Sequence, residues 1–596
     1  MKMKQQIFHG IGVSEGIRKG KAFVYRHQVQ PDVDQMIAKE QVKSELARLN
    51  RAVEESSQEI DDLISRASST LPASQKAVLK GQKTFLTDPA YCPAMQKLIQ
   101  EKWYSAGKAV QTITKQYATT LEQMENAYLR ERAADVWDAG NRLLNHLSGH
   151  NSVSLSSFQS PVIVLADDLS PADTIQMDRR FVLAFATQKG GKTSHTSIFA
   201  KSLGIPAVVG ISNLMEQAEP ETEVILDGEQ GICILAPNPE TIAAYDEKME
   251  KEQKWQGILN RFKGKAAQTN DGKKILTAAN IGSAADAQEA QKMGAEGIGL
   301  FRTEQLYLSR KTAPDEATQF RVYKKAAECY PDRTVIIRTL DIGGDKEIPY
   351  LGISQETNPF LGYRAIRYCL GERKIFLTQL RAILRASVYG HLAIMFPMIS
   401  GLQELRDAKS VLKTAAAQLK EQNLPFDGSI KTGIMVEIPS AAVMADTLAK
   451  EADFFSIGTN DLVQYTLAVD RGNENVSYLY DYFNPAVVRL VRRVTEAAKT
   501  AEIPVGMCGA MAGDPLAIPL LLGLGLTELS MPAGAIPKAK YIINQLNGDS
   551  CQQLANQIQA CQTPPQVHKA LQDFARANFQ MDAEQKISVS NEKNLN

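Results

Sequence analysis

The chain has 596 residues, room for about four domains at roughly 150 residues each. It carries 67 Lys+Arg against 67 Asp+Glu, so the formal net charge is zero and a global cationic field for nucleic acid is not expected. A hydrophobic fraction of 44% and a charged fraction of 22% are those of soluble globular protein, and they exclude collagen-like, low-complexity and wholly disordered classes.

The N-terminal MKMKQQIFHGIG lacks the apolar core of about 7–15 residues that a secretory signal needs. Phe8 to Tyr25 is Gly-rich with short apolar runs and reads as one or two strands. Pro31 opens a different texture. From Val33 to Leu147 apolar residues recur at helical spacing, as in QMIAKEQVKSELARLNRAVEESSQEIDDLI, which predicts a bundle of three or four long helices. After Ser152 the pattern changes again. PVIVLADDL, RFVLAFAT, PAVVG and EVILDG read as buried strands, with a helix between Ser194 and Leu203. The α/β character on both flanks implies an α/β domain built from residues 1–32 and 148–235, with the helical bundle 33–147 inserted into it.

Residues 236–265 read as a helical connector whose mixed charges make a solvated face. Beyond it, ILTAANI, GIGLFRTE, TVIIRTLDI, AIMFPMIS, GIMVEIP, FFSIGTND, PVGMCG and TELSM are eight strand-like runs alternating with helical segments. That rhythm over about 300 residues predicts a (β/α)₈ barrel across 266–575, followed by a polar tail, 576–596. The expected fold is therefore α/β and multidomain. The longest apolar run, Leu516 to Leu526, is short of the about 20 residues a membrane span needs, so no membrane insertion is expected. Seven scattered cysteines with no CxxC argue for a reducing, cytoplasmic setting, and against a disulfide framework or structural zinc.

The barrel strands end in polar residues: Arg302 and Glu304, Arg338 and Asp341, Glu437, Asn460 and Asp461, Cys508. In a barrel these ends converge on one mouth, the usual catalytic face. Any one of them alone reads equally as a rim salt-bridge partner; five strand ends together do not. Arg302, Arg338 and the downstream Arg471 match carboxylate or phosphate oxygens bidentately. Glu437 and Asp461 are the usual protein share of a Mg²⁺ site, with phosphate and water completing the shell. The implied ligand is a small, multiply anionic phosphate compound. Cys508 is placed to donate a proton, although a small buried hydrophobe is the commoner fate of a free cysteine.

Among seven histidines, His195 stands apart in GGKTSHTSIFAKSLGIPAVVG, Gly190 to Gly210. Thr193, Ser194, Thr196 and Ser197 surround it with hydroxyls, and a helix starts there, offering free N–H groups to an anion. This reads either as a phosphoryl-holding histidine or as a capped helix start beside an ordinary one. There is no GxxxxGK[ST], HExxH, GxSxG or Rossmann GxGxxG.

Together these residues identify a resemblance. The His195 segment closely resembles the phosphohistidine motif of the phosphoenolpyruvate-utilising enzymes. GLFRTEQLYL, IIRTLDIGGDK, NPFLGYRAIR, IMVEIPSAA and FFSIGTNDLVQYTLAVDRGN resemble the barrel motifs of that family. Order and size are similar to its enzyme I branch, which serves the bacterial phosphoenolpyruvate:sugar phosphotransferase system, up to about residue 575.

The resemblance implies phosphoryl transfer from phosphoenolpyruvate to His195 Nε2 and on to a small HPr-like phosphocarrier, with release of pyruvate. It implies that Arg302, Arg338, Asn460, Asp461 and Arg471 bind phosphoenolpyruvate, that Glu437 and Asp461 hold Mg²⁺, and that Cys508 protonates the enolate. Thr174, Lys192 and Arg364 take supporting positions, Thr174 at that of a threonine bonded to the histidine. The helical insert docks the carrier, with Leu129 and Arg132 at matching positions, and the barrel forms a homodimer.

The chain departs from the family pattern in places. Lys192 and Lys201 stand where arginine is usual, and lysine loses bidentate geometry. Ala510 replaces a glutamate beside Cys508, which allows a slower or regulatory relative as the alternative reading. In PASQKAVLKGQKTFLTD, Lys76, Lys80 and Lys83 replace acidic residues, and Gln82 takes the place of a second histidine. Like charges slow encounter, so a less basic carrier is expected. A dikinase or synthase of the same family needs a large ATP-grasp domain, for which the segment before His195 leaves no room.

Overall fold

A computed structural model describes residues 4–26, 36–66, 81–124, 127–148, 155, 158, 160–169, 173–174, 177–178, 180–191, 196–197, 199–200, 204–308, 310, 312–344, 348–354, 356–473 and 475–578. The chain divides into two compact units, Met1–Lys254 and Trp255–Asn596.

The first unit is organised by one mixed sheet. Its strands are β1 (Gln6–His9), β2 (Ile11–Ser14), β3 (Ile17–Tyr25), β4 (Val162–Ala166), β5 (Val182–Thr187), β6 (Ala207–Val209), β7 (Glu223–Asp227) and β8 (Ile232–Leu235). They lie in the order β1-β8-β7-β3-β4-β5-β6-β2. β3, β4, β5 and β6 run parallel and the outer pairings are antiparallel. Strands from the N-terminal 25 residues thus interleave with strands from after residue 161.

Strand periodicity explains the two faces. On β4, Val162, Val164 and Ala166 pack with Phe185 and Val209 on one side. Ile163 and Leu165 pack with Ala184, Ala186 and Val208 on the other. Central parallel strands are covered on both faces and so read as continuous apolar runs.

Between β3 and β4 come helices Val42–Arg66, Tyr91–Lys102, Ala106–Glu122 and Ala127–Leu147. Their apolar stripes make a separate core of Leu49, Ile60, Tyr91, Val110, Val136 and Leu143. Ser105 caps the third of these helices by accepting from the Lys108 N–H at 3.2 Å.

Helix Pro239–Phe262 begins under an Asn238 cap, whose Oδ1 accepts from Thr241 N at 2.8 Å. Its first turns belong to the first unit: Tyr245 is buried against Ile225 and Ile234, and Lys19 Nζ pairs with Asp246 at 2.5 Å. Its last turns belong to the second unit, where the rings of Trp255 and Phe262 meet Tyr541 edge-on at 4.8 and 5.3 Å. The connector expected as a solvated face therefore buries Tyr245 near one end and half-buries Trp255 and Phe262 near the other.

The second unit is a closed parallel barrel of β9 (Leu276–Ile281), β10 (Ile298–Arg302), β11 (Val335–Arg338), β12 (Leu392–Phe396), β13 (Lys431–Val436), β14 (Phe455–Ile457), β15 (Val505–Met507) and β16 (Glu528–Met531). Alternation again sorts the side chains. Leu300, Ile336, Ala393, Met395 and Met435 fill the interior with Phe454 and Cys508. Their neighbours Phe301, Val335, Ile337, Ile394 and Ile434 face the surrounding helices. Among the described residues no helix is long and apolar enough to cross a membrane. All seven cysteines are free thiols.

Candidate active site

The barrel strands deliver their terminal residues to one cleft. Its wall is made by Leu300, Arg302, Glu304, Gln305, Arg338, Asp341, Arg364, Met435, Glu437, Gly458, Asn460, Asp461, Arg471, Cys508 and Gly509. Every barrel residue named from the sequence as substrate-binding, metal-holding or acidic lies in this wall. Arg364 joins them from the loop after β11.

Arg338 and Arg364 are both buried, and Arg338 is held by two carboxylates. It donates through Nη2 to Glu304 Oε1 at 2.8 Å and pairs through Nη1 with Asp341 Oδ2 at 2.8 Å. Arg364 donates to the other oxygen of Asp341 at 2.9 Å and to Tyr465 OH at 3.1 Å, and stands 3.5 Å from Asp461 Oδ1. Both guanidinium groups are pushed well above their ordinary value by these carboxylates, against the cost of burial. Their Nε atoms are buried and meet no acceptor within the protein, leaving donors for an anion. Phe360 lies under Arg364 and Arg471, its ring centre 5.7 and 6.0 Å from their guanidinium carbons. Arg302 is exposed at the cleft edge.

Strained backbone frames the same wall. Ala365, next to Arg364, sits at φ 51, ψ −123, and Met398 at φ 56. Non-glycine residues hold such angles only when their surroundings compel it. Met398 is held there while its N–H donates to Glu437 Oε1 at 2.6 Å.

Glu437 is buried, and its carboxyl is pushed up to about 8, first by burial and then by Asp461 and Asp341. Asp461 Oδ1 is buried and accepts no hydrogen bond. Two neighbouring carboxylates, their repulsion only partly relieved by Arg338 and Arg364, suit a hard divalent cation. Among the described residues no three His, Cys, Asp or Glu side chains gather to hold a metal. A cation here would draw the rest of its shell from ligand and water.

Cys508 is buried at the end of β15, and burial pushes its thiol up to about 11, so it keeps its proton at neutral pH. Its N–H donates to Ile457 O at 3.1 Å, and the Ser456 hydroxyl beside it pulls the thiol down only in part. Ala510 gives its backbone N–H to Asn460 Oδ1 at 3.0 Å, a bond that any residue but proline supplies at this position.

His195, Lys192 and Lys201 lie outside the described residues, as do Lys76 and Lys80, and the Leu129 side chain is likewise not described. What flanks the histidine is ordered by hydroxyls: Thr196 Oγ1 donates to Leu169 O at 2.8 Å and Ser197 Oγ to Gly191 O at 2.6 Å. Gly190 has φ 109, a backbone that glycine favours, whereas a Cβ at Gly191 would meet open space. Thr174 is fully buried. Arg132 pairs with Asp135 at 2.6 Å.

Gln82, placed by sequence on a docking face, is fully buried and donates to Asp138 Oδ2 at 2.8 Å. Lys83 is half-buried and held by Asp61 at 2.6 Å, so its charge is partly spent.

Sequence reasoning missed four residues around the cleft. Tyr465 and Phe360 hold the arginines. Gln379 is buried behind the cleft, where it accepts from Leu340 N at 2.9 Å and donates to Thr303 Oγ1 at 3.1 Å and Tyr323 OH at 3.2 Å. Asn280, at the end of β9, donates to Cys508 O at 3.0 Å. Its signal was available, since it is the polar residue closing the run LTAAN.

Known proteins match this layout along most of the chain. Residues 257–548 match the PEP-binding domain of PEP-utilising enzymes, residues 158–231 their mobile domain and residues 9–132 their N-terminal domain. The phosphoenolpyruvate-protein phosphotransferase of Staphylococcus carnosus (strain TM300) is 43% identical over 577 residues, 96% of this chain and all of the relative. That of Priestia megaterium is 45% identical over 542 residues, 90% of this chain and 94% of the relative. A solution structure described as Enzyme I (nEIt) is 36% identical, covers 41% of this chain and 99% of its own, and has a TM-score of 0.38.

Proposed function

The chain belongs to the PEP-utilising enzyme family, and on that premise we propose that it moves the phosphoryl group of phosphoenolpyruvate to His195 and then to a phosphocarrier protein. The observation that carries this reading is the meeting of Arg302, Arg338, Arg471, Glu437, Asp461 and Cys508 in one cleft.

Phosphoryl transfer needs positioning and charge neutralisation more than covalent chemistry. Arg302, Arg338 and Arg471 receive the phosphate and carboxylate of the substrate, and Asn460 contributes an amide. Arg364 acts through Asp341, which fixes both its own guanidinium and that of Arg338. Glu437 and Asp461 are the residues that would hold Mg²⁺, which when bound offsets negative charge on the phosphoryl oxygens. His195 Nε2 takes the phosphoryl group as the phosphorus–oxygen bond breaks. Thr174 and Lys192 support it, in keeping with the family motif. Cys508 then gives its thiol proton to the enolate carbon, and pyruvate leaves.

Residues 1–32 with 148–235 form the phosphohistidine domain in this reading, 33–147 the carrier-docking insert, 236–265 the linker, 266–575 the substrate barrel and 576–596 the tail. The histidine-bearing domain travels between barrel and carrier, and that travel limits turnover. The carrier is HPr-like, and Lys76, Lys80 and Lys83 in the sequence of the insert favour a less basic one. The barrel dimerises, and the protein acts in the cytoplasm. Ala510 alone does not favour the regulatory alternative, because the bond it makes to Asn460 is a backbone one.

The test is labelling with radioactive phosphoenolpyruvate and Mg²⁺, without ATP. Acid-labile phosphate on the wild type and none on His195→Ala supports the reading. Equal label on both refutes the assignment of His195.

A further inference from the structure

We infer that Asn280 is a positioning residue for proton delivery: from the end of β9 it fixes the backbone of Cys508 and so aims the thiol at the substrate carbon. This rests on the reading of Cys508 as the acid.

The side chain of Asn280 has one possible orientation. Its Nδ2 donates to Cys508 O at 3.0 Å, and Ser530 Oγ donates to its Oδ1 at 2.7 Å. A carbonyl only accepts, so the NH₂ end must face Cys508, and the amide oxygen is left for the serine hydroxyl. Ser530 is fully buried on β16, the strand between β9 and β15. Gly299 on β10 makes room for it, since a Cβ there would stand 2.5 Å from Ser530 Oγ. A locked serine therefore holds the asparagine, and the asparagine holds the peptide that carries the thiol.

The turn after β15 is pinned elsewhere too. Cys508 N–H pairs with Ile457 O, and Ala510 N–H with Asn460 Oδ1. Gly509 lies so close to Thr459 that a Cβ would fall 1.8 Å from its hydroxyl oxygen. Asn280 is the pin whose loss spares both the strand pairing and the substrate-binding Asn460. It is absent from the cleft wall, so it acts on the cysteine and not on the ligand.

The step it serves is a proton transfer. The S–H bond of Cys508 breaks, and the electron pair of the enolate double bond takes the proton to form a new C–H bond at C3. The S–H pair stays on sulfur as thiolate, which solvent reprotonates. Aim matters because a misplacement of about 1 Å costs roughly a hundredfold in rate.

The reverse half of this step can be read alone, as exchange of the pyruvate methyl hydrogens for deuterium in D₂O with Mg²⁺, followed by NMR on the full-length protein. Phosphoenolpyruvate affinity is measured in parallel by calorimetry. Asn280→Ala should slow exchange by about tenfold or more while leaving that affinity within about twofold. Ser530→Ala should cause a smaller loss in the same exchange. Cys508→Ala is the control on the underlying reading: undiminished exchange there refutes Cys508 as the acid. Exchange lost in Cys508→Ala but unchanged in Asn280→Ala overturns the present inference, as does a loss that merely follows phosphoenolpyruvate affinity. If Asn280→Ala fails to fold, Ser530→Ala decides, and exchange equal to wild type there overturns it.

Discussion

Asp341 and Arg364 meet at 2.9 Å in the wall of the cleft, and the second oxygen of the same carboxylate holds Arg338 at 2.8 Å. One buried aspartate thus sets two arginines, one facing substrate and one facing Asp461. Removing one member of a buried charge cluster costs about 3–5 kcal/mol, because the partners stay buried and unpaired. Asp341→Asn keeps the shape and loses the charge. The expected outcome is a KM for phosphoenolpyruvate raised about tenfold or more, with a lowered melting temperature. Steady-state kinetics with calorimetry checks it, and an unchanged KM contradicts it.

Gln379 is expected to matter from behind the cleft. It bonds the backbone at Leu340 and the hydroxyls of Thr303 and Tyr323, and Thr303 in turn donates to Arg338 O at 2.9 Å. The pieces of chain bearing Arg302 and Arg338 are therefore tied to helix Arg373–Ala386. Gln379→Leu fits the apolar surroundings but strands several polar groups, at about 1–3 kcal/mol each. Denaturant unfolding should show the loss, and phosphoenolpyruvate affinity should fall with it.

The barrel and its mouth were legible because strand ends announce themselves. An apolar run that stops at Arg, Glu or Asp places that residue on the rim whatever the helices do. Gln379 was not legible, since a glutamine in an amphipathic helix reads as surface until the helix is seated. The sharing of Asp341 was also hidden, because it depends on a loop that returns Arg364 to the strand end. Gln82 shows the same error in another helix. Its neighbours in sequence are lysines, yet its side chain turns into the core toward Asp138.

Asp138 makes a pH prediction. Burial, then the carboxylates of Asp173 and Asp135, push it up to about 8, only partly opposed by Arg142. In the unfolded chain an aspartate titrates near about 3.9. Between those values the folded state holds a proton that the unfolded state has released. Its contribution to stability is therefore complete below about pH 4 and is lost as pH rises toward about 8. The melting transition of the first unit should fall over that window. Asp138→Asn, which mimics the neutral form, should flatten the fall. An equal slope in variant and wild type contradicts the assignment.

Glu437 is expected to matter for a different reason from the arginines. Its Oε1 is committed to Met398 N–H, and its charge faces Asp461. Glu437→Gln keeps a carbonyl acceptor for that N–H but withdraws half of the carboxylate pair. Phosphorylation of the protein should then need at least about tenfold more Mg²⁺ to reach half its maximal rate. Titration of the phosphorylation rate with Mg²⁺ checks this, and an unshifted midpoint removes Glu437 from the cation site.

The most direct test of the whole account is a single-turnover mixture of the protein, labelled phosphoenolpyruvate and Mg²⁺ without ATP, with phosphate mapped by peptide and pyruvate counted together. The account predicts one acid-labile phosphate on the peptide bearing His195 for each pyruvate released, and none in His195→Ala. Pyruvate released with no phosphate on the protein, or phosphate on another residue, would contradict it.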